Sequence, residues 1–170
     1  MKYVQADWDE ESHGFRVDPR EYLAVLPALR GSLPDGAWAF ASDAGHYDFA
    51  NVRCVKDLEL TDISLPTKTA SGSGRAALTF APNQWKHDKG LRIAYEGVTH
   101  FSIEYARSID WMQTITLLLD EVLPCDAERD DGCGGACGGV THEIELTDAT
   151  IKVHCADLTA TWGRGGGGCR

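Results

Sequence analysis

From Ala76 to Trp162 the chain is a succession of short segments that alternate or run apolar, separated by turn residues. Ala76–Ala81, Leu91–Tyr95, Thr99–Tyr105, Gln113–Leu119, His142–Leu146 and Thr150–Cys155 each have the length and patterning of a strand. Short connections between most of them favour antiparallel pairing. The pattern predicts an α+β fold, predominantly an antiparallel β-meander (a single sheet, a sandwich or a half-barrel) with one N-terminal helix.

That helix is announced by Asp18-Pro19-Arg20-Glu21, where Asp18 can accept from the free N–H groups of the first turn and Pro19 suits the first helical position. Tyr22, Leu23, Leu26 and Leu29 follow at helical spacing, and Pro27 predicts a kink or an early end. Ala37–Ser42 reads as a strand with Trp38 and Phe40 on one face, and Asp43–Asp48 as a turn. Asn51–Val55 and Leu58–Leu60 read as further strands, and Pro66–Gly74, rich in Thr, Ser and Gly, as a mobile loop or hairpin tip. Between Pro124 and Gly139 the apolar pattern stops, leaving a long Cys/Gly-rich loop of the kind that is usually functional or disordered. Residues 1–162 form a single domain on this reading, and Gly163–Arg170 a disordered tail.

Charge narrows the function. The 170 residues hold 26 acids against 16 bases, a formal charge of −10, and no basic cluster is longer than Lys86–Lys89. Phosphate-backbone binding needs a basic stripe, so nucleic acid is an unsuitable partner. An acidic surface suits a basic protein, although charge runs of this kind also serve solubility alone. The acidic clusters are Asp7-Asp9-Glu10-Glu11 and Asp126-Glu128-Asp130-Asp131. No segment approaches the roughly 20 apolar residues of a membrane helix. The start, Met1-Lys2-Tyr3 turning acidic at Asp7, lacks the pattern of a secretory signal. Cytoplasmic localisation follows as the expectation, with the six cysteines reduced.

Candidate chemistry is sparse. Cys125, Cys133, Cys137 and His142 are four N/S donors in and beside a flexible loop, which is what tetrahedral zinc requires; the alternative is a surface insertion containing free thiols. His46-Tyr47-Asp48 and His87-Asp88 place a His near an acid, as in a general base or simply in a hydrogen-bonded turn. Parity puts His142 on the inward face at the start of its strand and His154 on the opposite, solvent face, with structural roles for both. Neither glycine run opens a helix with a phosphate-loop Lys, so nucleotide binding is unsupported. Trp85, in the turn Pro82–Asp88, is either a binding hot spot or folded over its own hairpin. Trp38, Phe40, Phe80, Tyr95 and Phe101 are core residues or the lining of a concave ligand-binding face.

The order of features from Tyr47 to Trp162 adds a resemblance. A His/Asp turn (His46, Asp48) precedes Leu58-Glu59-Leu60, a strand with a polar tip (Leu78–Lys89) and the entry Gly97-Val98. The late motif His142-x-Ile144-x-Leu146, then Ile151-Lys152-Val153 and Ala156-Asp157-Leu158, complete it. This resembles a diffuse group of small bacterial proteins of unknown function, some of which are immunity proteins of polymorphic toxin systems. The resemblance implies a compact sheet-rich domain with no cofactor and no established active site, and it carries over no functional residue. The Cys/Gly loop at Cys125–Gly139 falls outside it.

Together these readings point to a small acidic cytoplasmic binding protein without catalytic activity, of immunity or inhibitor type, with a basic protein as partner. The alternatives are a zinc-binding protein using Cys125, Cys133, Cys137 and His142, and a small-molecule-binding β domain.

Overall fold

The protein is described by a computed structural model covering residues 1–68, 74–105, 110, 113, 115–125 and 139–163. Antiparallel strands dominate it, as the patterning requires, but they form three sheets, and two helices rather than one accompany them.

The chain opens with a hairpin of β1 (Gln5–Asp9) and β2 (Gly14–Asp18), paired from Gln5↔Asp18 to Asp9↔Gly14. Helix α1 (Arg20–Leu29) follows, and the Asp18 carboxylate accepts the Arg20 backbone N–H at 3.0 Å. Tyr22 and Leu26 are buried, Leu23 is exposed, and the helix ends two residues beyond Pro27.

Ala37–Ser42 is not a strand: Asp35–Ala41 forms helix α2. Alternation of Ala with Trp38 and Phe40 mimics period two, yet alanine is the strongest helix former, and the buried set Ala37, Phe40, Ala41 has i, i+3, i+4 spacing. Its first turn is capped from far along the chain. The Asp157 carboxylate accepts the Gly36 and Ala37 N–H groups at 3.2 and 2.9 Å. A Cβ at Gly36 would lie 2.0 Å from the Leu158 carbonyl oxygen, so only glycine permits this approach.

Asn51–Val55 also departs from expectation, forming successive turns: Asn51 N–H bonds to Asp48 O, and Cys54 N–H to Asn51 O. The Asn51 and Asp48 side chains cap these turns at Arg53 N and Ala50 N, a local satisfaction that competes with a sheet ladder.

One large sheet has the order β10-β5-β4-β3, from β3 (Glu59–Lys68), β4 (Gly74–Ala81), β5 (Gly90–Val98) and β10 (Asp157–Gly163). Both ends of Pro66–Gly74 are strand, Lys68 pairing with Gly74 in a β3–β4 hairpin, and residues 69–73 lie outside the described residues. The other sheet has the order β6-β9-β8-β7, from β6 (His100–Glu104), β7 (Leu117–Pro124), β8 (Val140–Leu146) and β9 (Thr150–Cys155). The seventh strand begins later than its apolar pattern predicts, at Leu117, and extends to Pro124. Cys133, Cys137, most of the Cys/Gly loop and residues 164–170 lie outside the described residues, whereas Gly163, read as the first residue of a disordered tail, ends β10 paired with Gly90.

Two strand pairs bend from one sheet into the other. β5 runs into β6 and β9 into β10, with Ala156 N–H bonding Glu96 O and Thr99 N–H bonding His154 O at the corner. Gly97, at φ +65°, makes that corner; a Cβ there would lie 2.7 Å from the Ala156 Cβ. On the opposite side β3 meets β7 through the Glu59–Thr116 bridge and the bonds Leu117 N to Leu58 O and Leu60 N to Ile115 O. The inner faces therefore close on one core, built from Leu78, Phe80, Ile93, Leu117, Ile144 and Ile151 among others. Phe80 and Tyr95 are fully buried in it, Phe40 is buried, and Trp38 and Phe101 pack against it partly buried.

Candidate functional site

Strand β7 reads Leu-Leu-Leu-Asp-Glu-Val-Leu-Pro and is buried along most of its length, including its two acids. Asp120 shares the inward parity of Val122 and, across the ladder, of Ile144 and His142. A carboxylate facing a dry core survives only if its oxygens are hydrogen-bonded. Both are: His46 Nε2 lies 2.6 Å from Oδ1 and His142 Nε2 lies 2.7 Å from Oδ2. The second nitrogens are engaged too, His46 Nδ1 with Phe40 O at 3.0 Å and His142 Nδ1 with the Tyr95 hydroxyl at 2.9 Å. Tyr47 donates to the Asp120 backbone carbonyl at 3.2 Å and stacks on His46 with ring centroids 4.1 Å apart.

Donor and acceptor capacities then assign the protons. Burial alone would raise the Asp120 carboxyl, but the His46 charge and the hydrogen bonds from His142 and His46 outweigh it and hold the group well below the ordinary carboxylate range. Asp120 is thus an ionised acceptor. The Phe40 carbonyl also only accepts, so His46 presents hydrogen on both nitrogens and is an imidazolium. Burial raises the Tyr95 hydroxyl well above its ordinary value, so it keeps its proton, and its oxygen is hydrogen-bonded to His142 Nδ1. His142 carries hydrogen on Nε2 and donates it to the ionised Asp120. The assembly is a buried Tyr–His–Asp–His chain that joins β5, β8 and β7 to the 43–48 turn and the C-terminal end of α2.

Chemically this arrangement orders a core. Each histidine nitrogen and each Asp120 oxygen is spent on another group of the chain, which leaves His46 no lone pair for a substrate proton. His46 does line one wall of a cleft of about 250 Å³ between α2, the 48–53 turn and β10. There Arg53 pairs with Asp43 at 2.8 Å and its guanidinium lies 5.9 Å from the Trp162 ring centroid.

The residues singled out from the sequence are placed as follows. His142 is in the interior chain just described, fully buried rather than at a fraying strand start. Cys125 follows β7, its N–H bonded to Gly139 O at 2.9 Å. It stands three ladder positions from Val122, the partner of His142, roughly 10 Å along the strand. Cys133 and Cys137 lie outside the described residues. Among the described residues no group of three or more His, Cys, Asp or Glu is placed to hold a metal ion. His154 does lie on the outward face, but it is only 4% exposed, because the ring of its ladder partner His100 covers it at 4.8 Å between centroids. His87 is buried and neutral in character, burial lowering its pKa; it bonds Cys54 O at 2.8 Å and accepts from Asn83 N–H at 3.3 Å.

Two surface features stand apart. The β1–β2 hairpin carries Asp7, Asp9, Glu10 and Glu11 around an edge-to-face pair, Trp8 and Phe15, with Trp8 49% exposed. On the 82–89 loop Trp85 is 98% exposed, beside a hollow of about 390 Å³ lined also by Glu59, Pro82, Asn83 and Gln84. Among the described residues no helix is long and apolar enough to cross a membrane. No protein-family model, no curated protein and no solved structure matches the chain.

Proposed function

We propose that this is a binding protein without catalytic activity that engages a basic protein, in the manner of an immunity or inhibitor protein. The observation that carries the reading is the pairing of the −10 charge with an acidic hairpin built around a half-exposed tryptophan. Interfaces take their energy from buried aromatic anchors and their encounter rate and selectivity from complementary charge. The hairpin supplies both on one small element. Asp7 reaches the field of Glu145 on β8, whose pKa is raised first by burial and then by Glu143 and Asp7, so the acidic surface extends from the hairpin onto the sheet. The positive charge of a cationic partner would relieve that crowding. The buried histidines and Asp120 support the reading from the other side, since their hydrogen bonds all serve the fold.

The test is titration of a basic protein or polycationic peptide at low and moderate salt. Association that weakens steeply with ionic strength, and further in a variant with Asp7, Asp9, Glu10 and Glu11 neutralised, is the expected result. No association at low salt would end the reading. Stoichiometric zinc in protein purified without added metal, lost together with stability on chelation, would replace it with the Cys125, Cys133, Cys137 and His142 alternative. That alternative requires His142 to surrender Asp120 or Tyr95.

A further inference from the structure

We infer that Trp85 and Glu59 form a receptor for a single lysine or arginine side chain of the partner; this rests on the binding reading above and specifies where one cation is read.

The first ground is rigidity. A fully exposed tryptophan on a floppy loop would be unremarkable, but the 82–89 loop is pinned from beneath. His87 is buried and tied at both nitrogens, to Cys54 O and Asn83 N. The Lys86 and His87 N–H groups bond Asn83 O at 3.0 and 2.8 Å, and the Trp85 N–H bonds Asn83 Oδ1 at 3.0 Å. Lys86 Nζ reaches Lys56 O at 3.1 Å and Asp57 Oδ2 at 3.4 Å. The loop thus holds an apolar ring in water on a preorganised support, which lowers the ordering cost of binding through it.

The second ground is the charge left over. Lys56 pairs with Asp57, and Lys86 also uses Asp57, so these three are satisfied. Asp88 and Lys89 are exposed neighbours of opposite sign. Glu59 has no ion-pair partner among the described residues, and it lines the hollow beside the indole. An indole face with a carboxylate beside it is a site for a cation.

The third ground is that the same chain fills such sites itself. Arg30 lies over Trp38 at 5.4 Å, and Arg53 lies over Trp162 at 5.9 Å while pairing with Asp43. Trp85 with Glu59 repeats the Trp162–Asp43 arrangement, and among the described residues no cation of the chain lies over it.

The experiment titrates nona-arginine and nona-lysine peptides into wild type, W85A, W85F, E59Q and the hairpin charge variant, with sedimentation velocity on the proteins alone. W85A should bind about threefold to fivefold more weakly, E59Q less so, and W85F should recover most of the loss, as expected of a cation on an aromatic face. All variants change exposed or half-exposed groups, and unchanged thermal unfolding checks their fold. Wild-type binding that W85A and E59Q leave unaltered, while the hairpin variant loses it, would overturn this subsite and keep the basic partner. Absence of binding by wild type would remove both. A dimer that dissociates in W85A would overturn the subsite in favour of a second copy of the chain.

Discussion

Replacing Asp120 tests the proton assignment and the energetics of the core together. In the wild type the carboxylate balances a buried His46 imidazolium at 2.6 Å and accepts from His142 Nε2–H at 2.7 Å. Asp120→Ala removes the counter-charge and leaves two histidines facing a void. Deleting one partner of a buried ion pair costs about 3–5 kcal/mol, a large part of the roughly 5–15 kcal/mol that holds a domain folded. At about 2–4 °C per kcal/mol for a chain of this size, the midpoint should fall by roughly 6–20 °C. Asp120→Asn is different. Its carbonyl can accept from His142 Nε2–H, and its amide can donate to His46 Nε2 once His46 gives up one proton and keeps Nδ1–H on Phe40 O. Every group is then satisfied and the network carries no ions, so the cost should be about 1 kcal/mol or less.

Urea unfolding of both variants, with nitrogen-15 NMR of the imidazoles, reads the outcome. The wild type should show His46 doubly protonated and Asp120→Asn should show it neutral. Equal destabilisation by Ala and Asn, or a neutral His46 in the wild type, would refute the assignment. The sign of the pH dependence follows from the depressed Asp120 carboxyl. Stabilisation from a depressed acid is complete above its unfolded value, about 4, and is lost as pH falls toward the folded value. Acid should therefore destabilise the wild type below about pH 4 more steeply than Asp120→Asn.

Tyr22→Phe should cost about 1–3 kcal/mol in denaturant unfolding, because the hydroxyl both donates to Val122 O at 2.7 Å and accepts from Val122 N–H at 3.2 Å, and both groups are buried. Gly97→Ala should destabilise by about 1–3 kcal/mol by the same measurement, since it forces an L-residue to φ +65° and a methyl against Ala156. Asp157→Ala should lower stability by about 1 kcal/mol through loss of the α2 cap. Burial raises the thiols of Cys54 and of Cys155, the latter to about 12, so Ellman's reagent near neutral pH should reach these two only as the protein unfolds.

How much of this was legible in the chain depends on the range of the interactions that decide each element. β4, β5, β8 and β9 were legible because their alternation is a local signal that burial then honours. The first hairpin carries the same signal, Ala6 and Trp8 against Phe15 and Val17, but the acids between them read as a solvated charge run. Helix α2 was not legible as a helix, because its cap is Asp157, more than a hundred residues away, and alternating Ala, Trp and Phe satisfies both periods.

The buried histidine chain marks the harder limit. His46 and His142 could be named as candidates, but the acid that pairs them could not, since the chain places Asp48 and Glu143 closer to them than Asp120. One trace of it does exist: Asp120 and Glu121 interrupt a run of apolar residues from Leu117 to Leu123 that is too continuous for a one-sided strand. Two acids in such a run must each be neutralised by something. Glu121, turned outward, gathers the backbone N–H groups of Lys2, Tyr3 and Val4, and Asp120, turned inward, gathers two imidazoles. An acid inside an apolar strand thus predicts donors converging from elsewhere in the fold, although only tertiary structure says which. Here the donors on both sides come from the first 50 residues, save for His142, so the paired acids of β7 tie the N-terminal segment and the 43–48 turn to opposite faces of one sheet.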